Sequence, residues 1–405
     1  MGKLCMTLPP FSPDYSGVCS ALFPFETLTV IHDASGCTGN YTGYDEPRWF
    51  RSRSPIYCSG LREIDAILGD DEKLIQKVLY ALEDIKPEMI ALVGSPVPMV
   101  IGADMEGIAA EIESRTGIFS VGFPTTGIKY YPQGVELVYK KVLQRMLEED
   151  DTEAVKEENS VNILGATPLD FGKSETIEEL EAFLVENGYK INSSLWKNVS
   201  KEEILKLKNV ACNIVVSNAG IAFADYLKKN YQIPYIIGLP YGEKNAESWL
   251  LKLKCCMDGA ACGTEAIAGC ESKADNEADV ETASGKVKER QDGTKALRIL
   301  IIGEQLQADS IRNALQAEHD VVCDVAGICG WNSRFAKEND TFLETEEEIE
   351  RLLNDDAYDM IIGDPLYQEM LYEDKKFLAY SHYAVSSKLG NKESQSFIKK
   401  NIPIY

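Results

Sequence analysis

The chain has 405 residues, 44% hydrophobic and 26% charged, enough apolar material for several cores, so neither a disordered chain nor a disulfide-stapled miniprotein is expected. Its 41 basic and 65 acidic side chains leave a net charge of −24, which argues against nucleic acid or anionic lipid as a partner. No apolar run reaches the ~18 residues of a membrane span, and the N-terminus has no apolar signal core; the expectation is a cytoplasmic protein.

In chain order, short apolar runs ending in Gly or a polar residue recur at 28–32, 89–94, 118–122, 161–165, 213–217, 235–238, 297–303, 321–325 and 360–363. Each reads as a strand buried on both faces. Between them lie amphipathic helical patterns. In 72–85, Leu74, Ile75, Val78, Leu79, Leu82 and Ile85 share one face, and 134–147, 176–187, 221–230, 309–318 and 344–353 read similarly. Strands alternating with helices imply an α/β fold with parallel sheets. Two charged segments interrupt the pattern. Residues 148–160 carry seven acidic residues and one Lys, and 271–295 hold twelve charged residues and no aromatic. Neither buries enough apolar surface to offset its ordering entropy, so both read as linkers or surface excursions. The expected organisation is three Rossmann-like domains: 1–150 with a cysteine-bearing loop, 151–270, an acidic linker at 271–296, and 297–405. Ligands of such sheets sit at the C-terminal strand ends, so the loops after Ile31, Val93, Val216 and Ile237 matter most.

Several familiar chemistries are missing. The run Gly165 to Ser174 follows a strand and precedes a helix, but six residues separate Gly165 from Gly172 where a P-loop has four. No G-x-G-x-x-G follows a strand, and neither H-E-x-x-H, C-x-x-C nor G-x-S-x-G occurs. Eleven cysteines, an odd number, suit thiols, metal ligands or redox groups better than a disulfide framework. Cys19 precedes the first strand. His32, Asp33 and Gly36-Cys37-Thr38-Gly39 follow it, and Cys58 lies in the same block. Small residues around Cys37 leave room for a bulky inorganic group, and loop N–H groups can bond its sulfides. The competing reading is a set of small buried thiols. Tyr15, Tyr41 and Arg48 cluster near this loop, where Arg48 could hold a carboxylate or simply pack. Cys255, Cys256, Cys262 and Cys270 form a second group with no regular ligand spacing, read as incidental thiols in preference to a metal site.

From Ser16-Gly17 through His32 and Cys37, then through 61–74, 87–93 and 100–104, the sequence resembles nitrogenase component 1 proteins. That group includes molybdenum–iron protein subunits, their cofactor scaffolds and the catalytic subunits of dark-operative protochlorophyllide reductase. Ile233-Pro234-Tyr235, Pro240-Tyr241-Gly242 and 359–364 extend the likeness over nearly the whole chain. The resemblance implies three α/β domains, paired subunits, an iron–sulfur cluster near the subunit interface, an ATP-dependent iron protein as electron donor, and a substrate or second cofactor deeper between domains. Cys37 matches the family's G-C loop cysteine. The family's earlier cysteine falls near Ser12 or Pro13 and a later one near Pro96, and both are absent here. The resemblance then implies a [4Fe-4S] cluster bridging a homodimer, or a pairing with a related subunit, with Cys37 and Cys19 as first ligands, Gly36 beside them, and Cys58 as a further choice. His32, Asp33 and Arg48 are candidate catalytic groups by location. The function expected is a reductase component. The rivals are an assembly scaffold for a metal–sulfur cofactor and a metal-free protein that binds a small ligand. The substrate stays open among a tetrapyrrole, a sulfur compound and a small unsaturated molecule.

Overall fold

The computed structural model describes residues 5–50, 54–172, 175–259, 296–390 and 395–404. Among these residues the strands are β1 (Thr27–Ile31), β2 (Ile56–Cys58), β3 (Met89–Val93), β4 (Phe119–Phe123), β5 (Glu157–Leu164), β6 (Lys190–Ser193), β7 (Val210–Val215), β8 (Tyr235–Ile237), β9 (Leu297–Gly303), β10 (Val321–Gly327), β11 (Thr341–Phe342), β12 (Met360–Gly363) and β13 (Lys376–Ala379). They form three sheets in the orders β2-β1-β3-β4, β6-β5-β7-β8 and β11-β10-β9-β12-β13. Every pairing within them is parallel, with β1 in register against β3 from Thr27↔Met89 to Ile31↔Val93. The α/β class read from the sequence is the observed one.

The central strands β1, β3 and β7 are buried at every residue, as parallel sheets covered by helices on both faces require. Residues 148–160 are more structured than their charge predicts. The helical stretch before them ends at Glu148, β5 begins at Glu157, and Lys208, almost fully buried, pairs with Asp150 at 2.8 Å. A buried ammonium needs that carboxylate, so it ties the acidic segment down. The expected acidic linker up to residue 295, with Cys262 and Cys270, lies outside the described residues.

One helix contact positions the rest of the first sheet. The helix Asp14–Leu22 is buried along its whole length and crosses the helix Tyr131–Val138 through glycines on both sides. A Cβ on Gly17 would lie 2.0 Å from the Tyr131 carbonyl oxygen, and one on Gly134 would lie 1.9 Å from the Asp14 carbonyl oxygen. Only glycine permits backbones this close. The second helix continues through a π-turn, Tyr139–Gln144, to Arg145–Glu148. Such turns inside α-helices are frequent near functional sites. Among the described residues no helix is long and apolar enough to cross a membrane.

Candidate functional site

Two constellations lie at the C-terminal ends of the strands. The first is the loop after β1. The His32 N–H donates to the Val93 carbonyl (2.8 Å), carrying the β1–β3 pairing one residue further. Asp33 then organises the turn. Its N–H donates to Ser59 Oγ (3.0 Å), and its Oδ2 accepts the Thr38 N–H (3.1 Å). The Asp33 carbonyl accepts the Cys58 thiol at 3.3 Å. Cys37, on the short helix Gly36–Asn40, is half-buried and has Tyr15, Ser95 and Asp33 around its sulfur. Burial, with the Asp33 charge, pushes its thiol above the usual value. Cβ atoms on Gly36, Gly39 or Gly60 would meet nothing within 4 Å, so the face carrying Cys37 and Cys58 is open. His32 Nδ1 lies 2.8 Å from Ser59 Oγ, and burial, with Lys77 near, lowers its pKa, so the imidazole is neutral at pH 7.

The other sequence-selected residues sit elsewhere. Cys19 is 0% exposed on the buried helix, its thiol pushed well up by burial and by Glu46 and Asp45. Arg48 is committed to a buried structural clamp. Its Nε and a terminal nitrogen each donate to Glu46 at 2.8 Å, and it also reaches the Ser20 carbonyl (2.6 Å) and the Trp196 carbonyl (3.0 Å). Four of its five N–H donors are engaged and the side chain is buried, so no two-donor fork is left for a substrate carboxylate. Cys256 is buried in the second sheet's core with its sulfur 3.6 Å from that of Cys212, and Cys255 is partly exposed.

The second constellation was missed by sequence reasoning. Asp170 follows β5 and Glu304 follows β9. Both are fully buried, and among the described residues neither bonds a Lys or Arg. Glu304 accepts the N–H groups of Asn218 and Gln307 (2.9 Å each), capping the helix Gln305–Glu318. Asp170 accepts Thr167 Oγ (2.7 Å) and the Tyr131 hydroxyl (2.5 Å), and that hydroxyl is 3.1 Å from His382 Nε2. Burial raises Asp170 to about 7; burial and the Asp170 charge raise Glu304 to about 8; burial lowers His382 to about 4. Four buried atoms at these strand ends have no partner among the described residues: both ends of the Asn218 amide, Gln307 Nε2 and His382 Nδ1. Gly303 is buried, yet a Cβ on it would meet nothing within 4 Å, so open space adjoins Glu304. Unpartnered polar groups at the C-terminal strand ends, with open space at Gly303, are the features a ligand chamber presents. The sequence signal was present but unspecific: an acidic residue just beyond a buried strand, as in Gly303-Glu304.

Three parallel sheets with polar residues gathered at their C-terminal ends define a three-sheet α/β protein, and solved nitrogenase structures share its fold. Two structures of nitrogenase Cp1, at pH 5 and pH 6.5, match 91% of the chain with TM-scores of 0.58 and 0.59 at 13% and 12% identity, covering 82% and 83% of those chains. The family model for nitrogenase component 1 type oxidoreductases matches residues 13–377, and the chain belongs to that family. Among curated relatives, the nitrogenase iron-molybdenum cofactor biosynthesis protein NifE of Clostridium pasteurianum is 24% identical over 59% of this chain. A subunit of the light-independent protochlorophyllide reductase of Chlorella vulgaris is 22% identical over 50%, and the nitrogenase molybdenum-iron protein alpha chain of Methanosarcina barkeri 22% over 48%. The matches span 52%, 41% and 36% of those relatives' own lengths.

Proposed function

We propose that this chain is the catalytic component of a nitrogenase-like reductase, a cytoplasmic protein supplied with electrons by an ATP-dependent iron protein and reducing a small molecule held in the interior chamber. The observation that carries this reading is the pair of part-exposed thiols, Cys37 and Cys58, both gathered by Asp33 on an open, glycine-lined face. The group that fits this face is a [4Fe-4S] cluster bridging two subunits. Among the described residues no three His, Cys, Asp or Glu side chains converge as a one-chain metal site needs, whereas two thiols from each of two chains make four. Bound there, the cluster would supply one-electron transfer. Cys37 and Cys58 are the ligands this geometry favours. Cys19, enclosed and beside two carboxyl groups, suits a packing role better.

Around the thiols the chain's own groups have separate tasks. Asp33 fixes the loop through Thr38 and Ser59, Gly36 and Gly39 leave room beside the sulfur, and Tyr15 screens it from the interior. Apolar side chains are exposed in the segments that follow β3, β4 and β2, with Val100 at 86%, Ile128 at 84% and Ile67 at 71%. A patch of this kind suits pairing with a second copy of the chain. The three sheets are read as three domains, 1–150, 151–270 and 297–405.

Anaerobic purification with iron and sulfide quantitation, and electron paramagnetic resonance of the reduced protein, tests the reading. About four irons per dimer, lost in Cys37→Ala and in Cys58→Ala but kept in Cys19→Ala, is the expected result. No iron after anaerobic reconstitution would overturn it. The likeness to NifE supports a second reading, an assembly scaffold. It is distinguished by departure of the cluster to an acceptor protein in place of turnover.

A further inference from the structure

Reduction of a bound molecule consumes protons, and the thiol face has no obvious acid: His32 is neutral and already bonded to Ser59. The interior does. The Tyr131 hydroxyl stands between Asp170 Oδ1 at 2.5 Å and His382 Nε2 at 3.1 Å, joining a residue after β5 to one after β13 through a side chain from the glycine-crossed helix. Deepening the reductase reading, on which it rests, we propose that Asp170, Tyr131 and His382 form a proton relay whose terminal donor is the Nδ1–H of His382.

Hydrogen-bond arithmetic fixes the direction. A neutral imidazole has one N–H and one bare nitrogen. When Asp170 is protonated it donates to the Tyr131 oxygen, the phenol O–H then donates to His382 Nε2, and the imidazole proton must be on Nδ1. That nitrogen is buried and has no partner among the described residues. An orphaned buried donor costs about 1–3 kcal/mol unless something else accepts from it, and the unpartnered amides of Asn218 and Gln307 gather at the same end of the sheets. The chamber therefore offers a donor at His382 and both donor and acceptor at Asn218. That set suits a polar, uncharged unsaturated group better than a cation.

With each electron the substrate receives from the iron protein, one Nδ1–H bond breaks and one bond from hydrogen to substrate forms. His382 Nε2 takes the Tyr131 proton, Tyr131 takes the Asp170 proton, and Asp170 is left as a carboxylate with His382 as its Nε2–H tautomer, until a proton taken up at Nδ1 drives the same three shifts in reverse and restores both. Only Asp170 changes charge. Neither imidazolium nor phenolate is formed, which suits a site where burial holds His382 down and Tyr131 up. The titratable groups facing Asp170 are Tyr131, Tyr139, Glu304, Tyr380 and Cys329, and Asp364 bonds the His382 backbone. All but the carboxyls are neutral near pH 7. Glu304 is the neighbour that sets when Asp170 ionises.

The test uses the purified full chain and needs no substrate. Nitrogen-15 NMR of histidine-labelled protein reads the His382 tautomer, assigned by its loss in His382→Gln. Infrared difference spectra across a pH series read the protonated acid. The expected results are an acid carbonyl band present below about pH 7 that disappears in Asp170→Asn, and, over the range where that band is present and above about pH 4, a neutral His382 in the Nδ1–H tautomer; once Asp170 ionises and accepts the Tyr131 hydroxyl, the Nε2–H tautomer should replace it. Tyr131→Phe should return His382 to a mixture of tautomers. An Nε2–H tautomer while the acid band is present, or an Asp170 carboxylate already ionised well below neutral pH, overturns the relay and leaves the cluster untouched. Absence of iron with both relay signals intact overturns the reductase reading and the relay's use with it. Should Asp170→Asn fail to fold, the unmodified protein's two spectra still decide.

Discussion

Gly134→Ala puts a methyl group where the helices Asp14–Leu22 and Tyr131–Val138 touch. Its Cβ would be 1.9 Å from the Asp14 carbonyl oxygen and 2.8 Å from the Val18 nitrogen, both backbone atoms that no rotamer change can move. Ordinary contact begins near 3.4 Å, so the helices must part by about 1.5 Å. Alanine gains up to about 1 kcal/mol in helix propensity, but overpacking a tight core costs about 1–3 kcal/mol and occasionally more. Both helices are buried throughout this contact, so the upper end applies, for a net loss of about 2 kcal/mol. Urea titration followed by circular dichroism should show a lower midpoint with an unchanged slope. Gly17→Ala, 2.0 Å from the Tyr131 carbonyl oxygen, should cost a similar amount. The double variant should cost clearly less than the sum, because the second methyl enters a gap the first has opened. Full additivity, or a loss in either single variant below about 0.5 kcal/mol, the range of ordinary surface changes, would refute the close-approach argument.

Arg48→Met strips the buried Glu46 carboxylate of its bidentate partner and should destabilise by about 3–5 kcal/mol, read by the same urea titration. Asp170 and Glu304 have native pKa values raised above their unfolded ones, so their stabilising contribution is complete below about pH 4 and drains away as pH rises through about 7 and 8. Urea midpoints across that range should fall and then level off, each tenfold gain in native proton affinity being worth about 1.4 kcal/mol at most, and Asp170→Asn should flatten the profile. Alkylation of metal-free protein, followed by mass spectrometry, should label Cys37 and Cys58 well before the buried Cys19, Cys212, Cys323 and Cys329.

All nine strands expected from apolar runs exist, and the four that were overlooked share one property. β2, β6, β11 and β13 are edge strands with partly exposed residues, such as Ile56-Tyr57-Cys58 and Lys190–Ser193. A run buried on both faces leaves a continuous apolar signature; a short edge strand does not. The acidic stretch before β5 is exposed from 151 to 159, as its charge announced, and what its composition could not show is that a distant lysine, Lys208, holds it at Asp150. Local spacing singled out Cys37 and Asp33 as candidates because both belong to one loop. It could not find the Asp170–Tyr131–His382 array, whose members are 39 and 251 residues apart in the chain and meet only when three sheets assemble. Arg48 looked available because its partners, Ser20 and Trp196, are invisible to a local reading.

The glycine-to-glycine crossing also acts as a spacer. The helix Asp14–Leu22 carries Tyr15 against Cys37 on one side, and through Gly17 it meets the helix whose first residue, Tyr131, reaches Asp170. Two backbones in contact without side chains between them leave no slack, so these two glycines fix the spacing between the loop that carries Cys37 and the array that Tyr131 joins to Asp170.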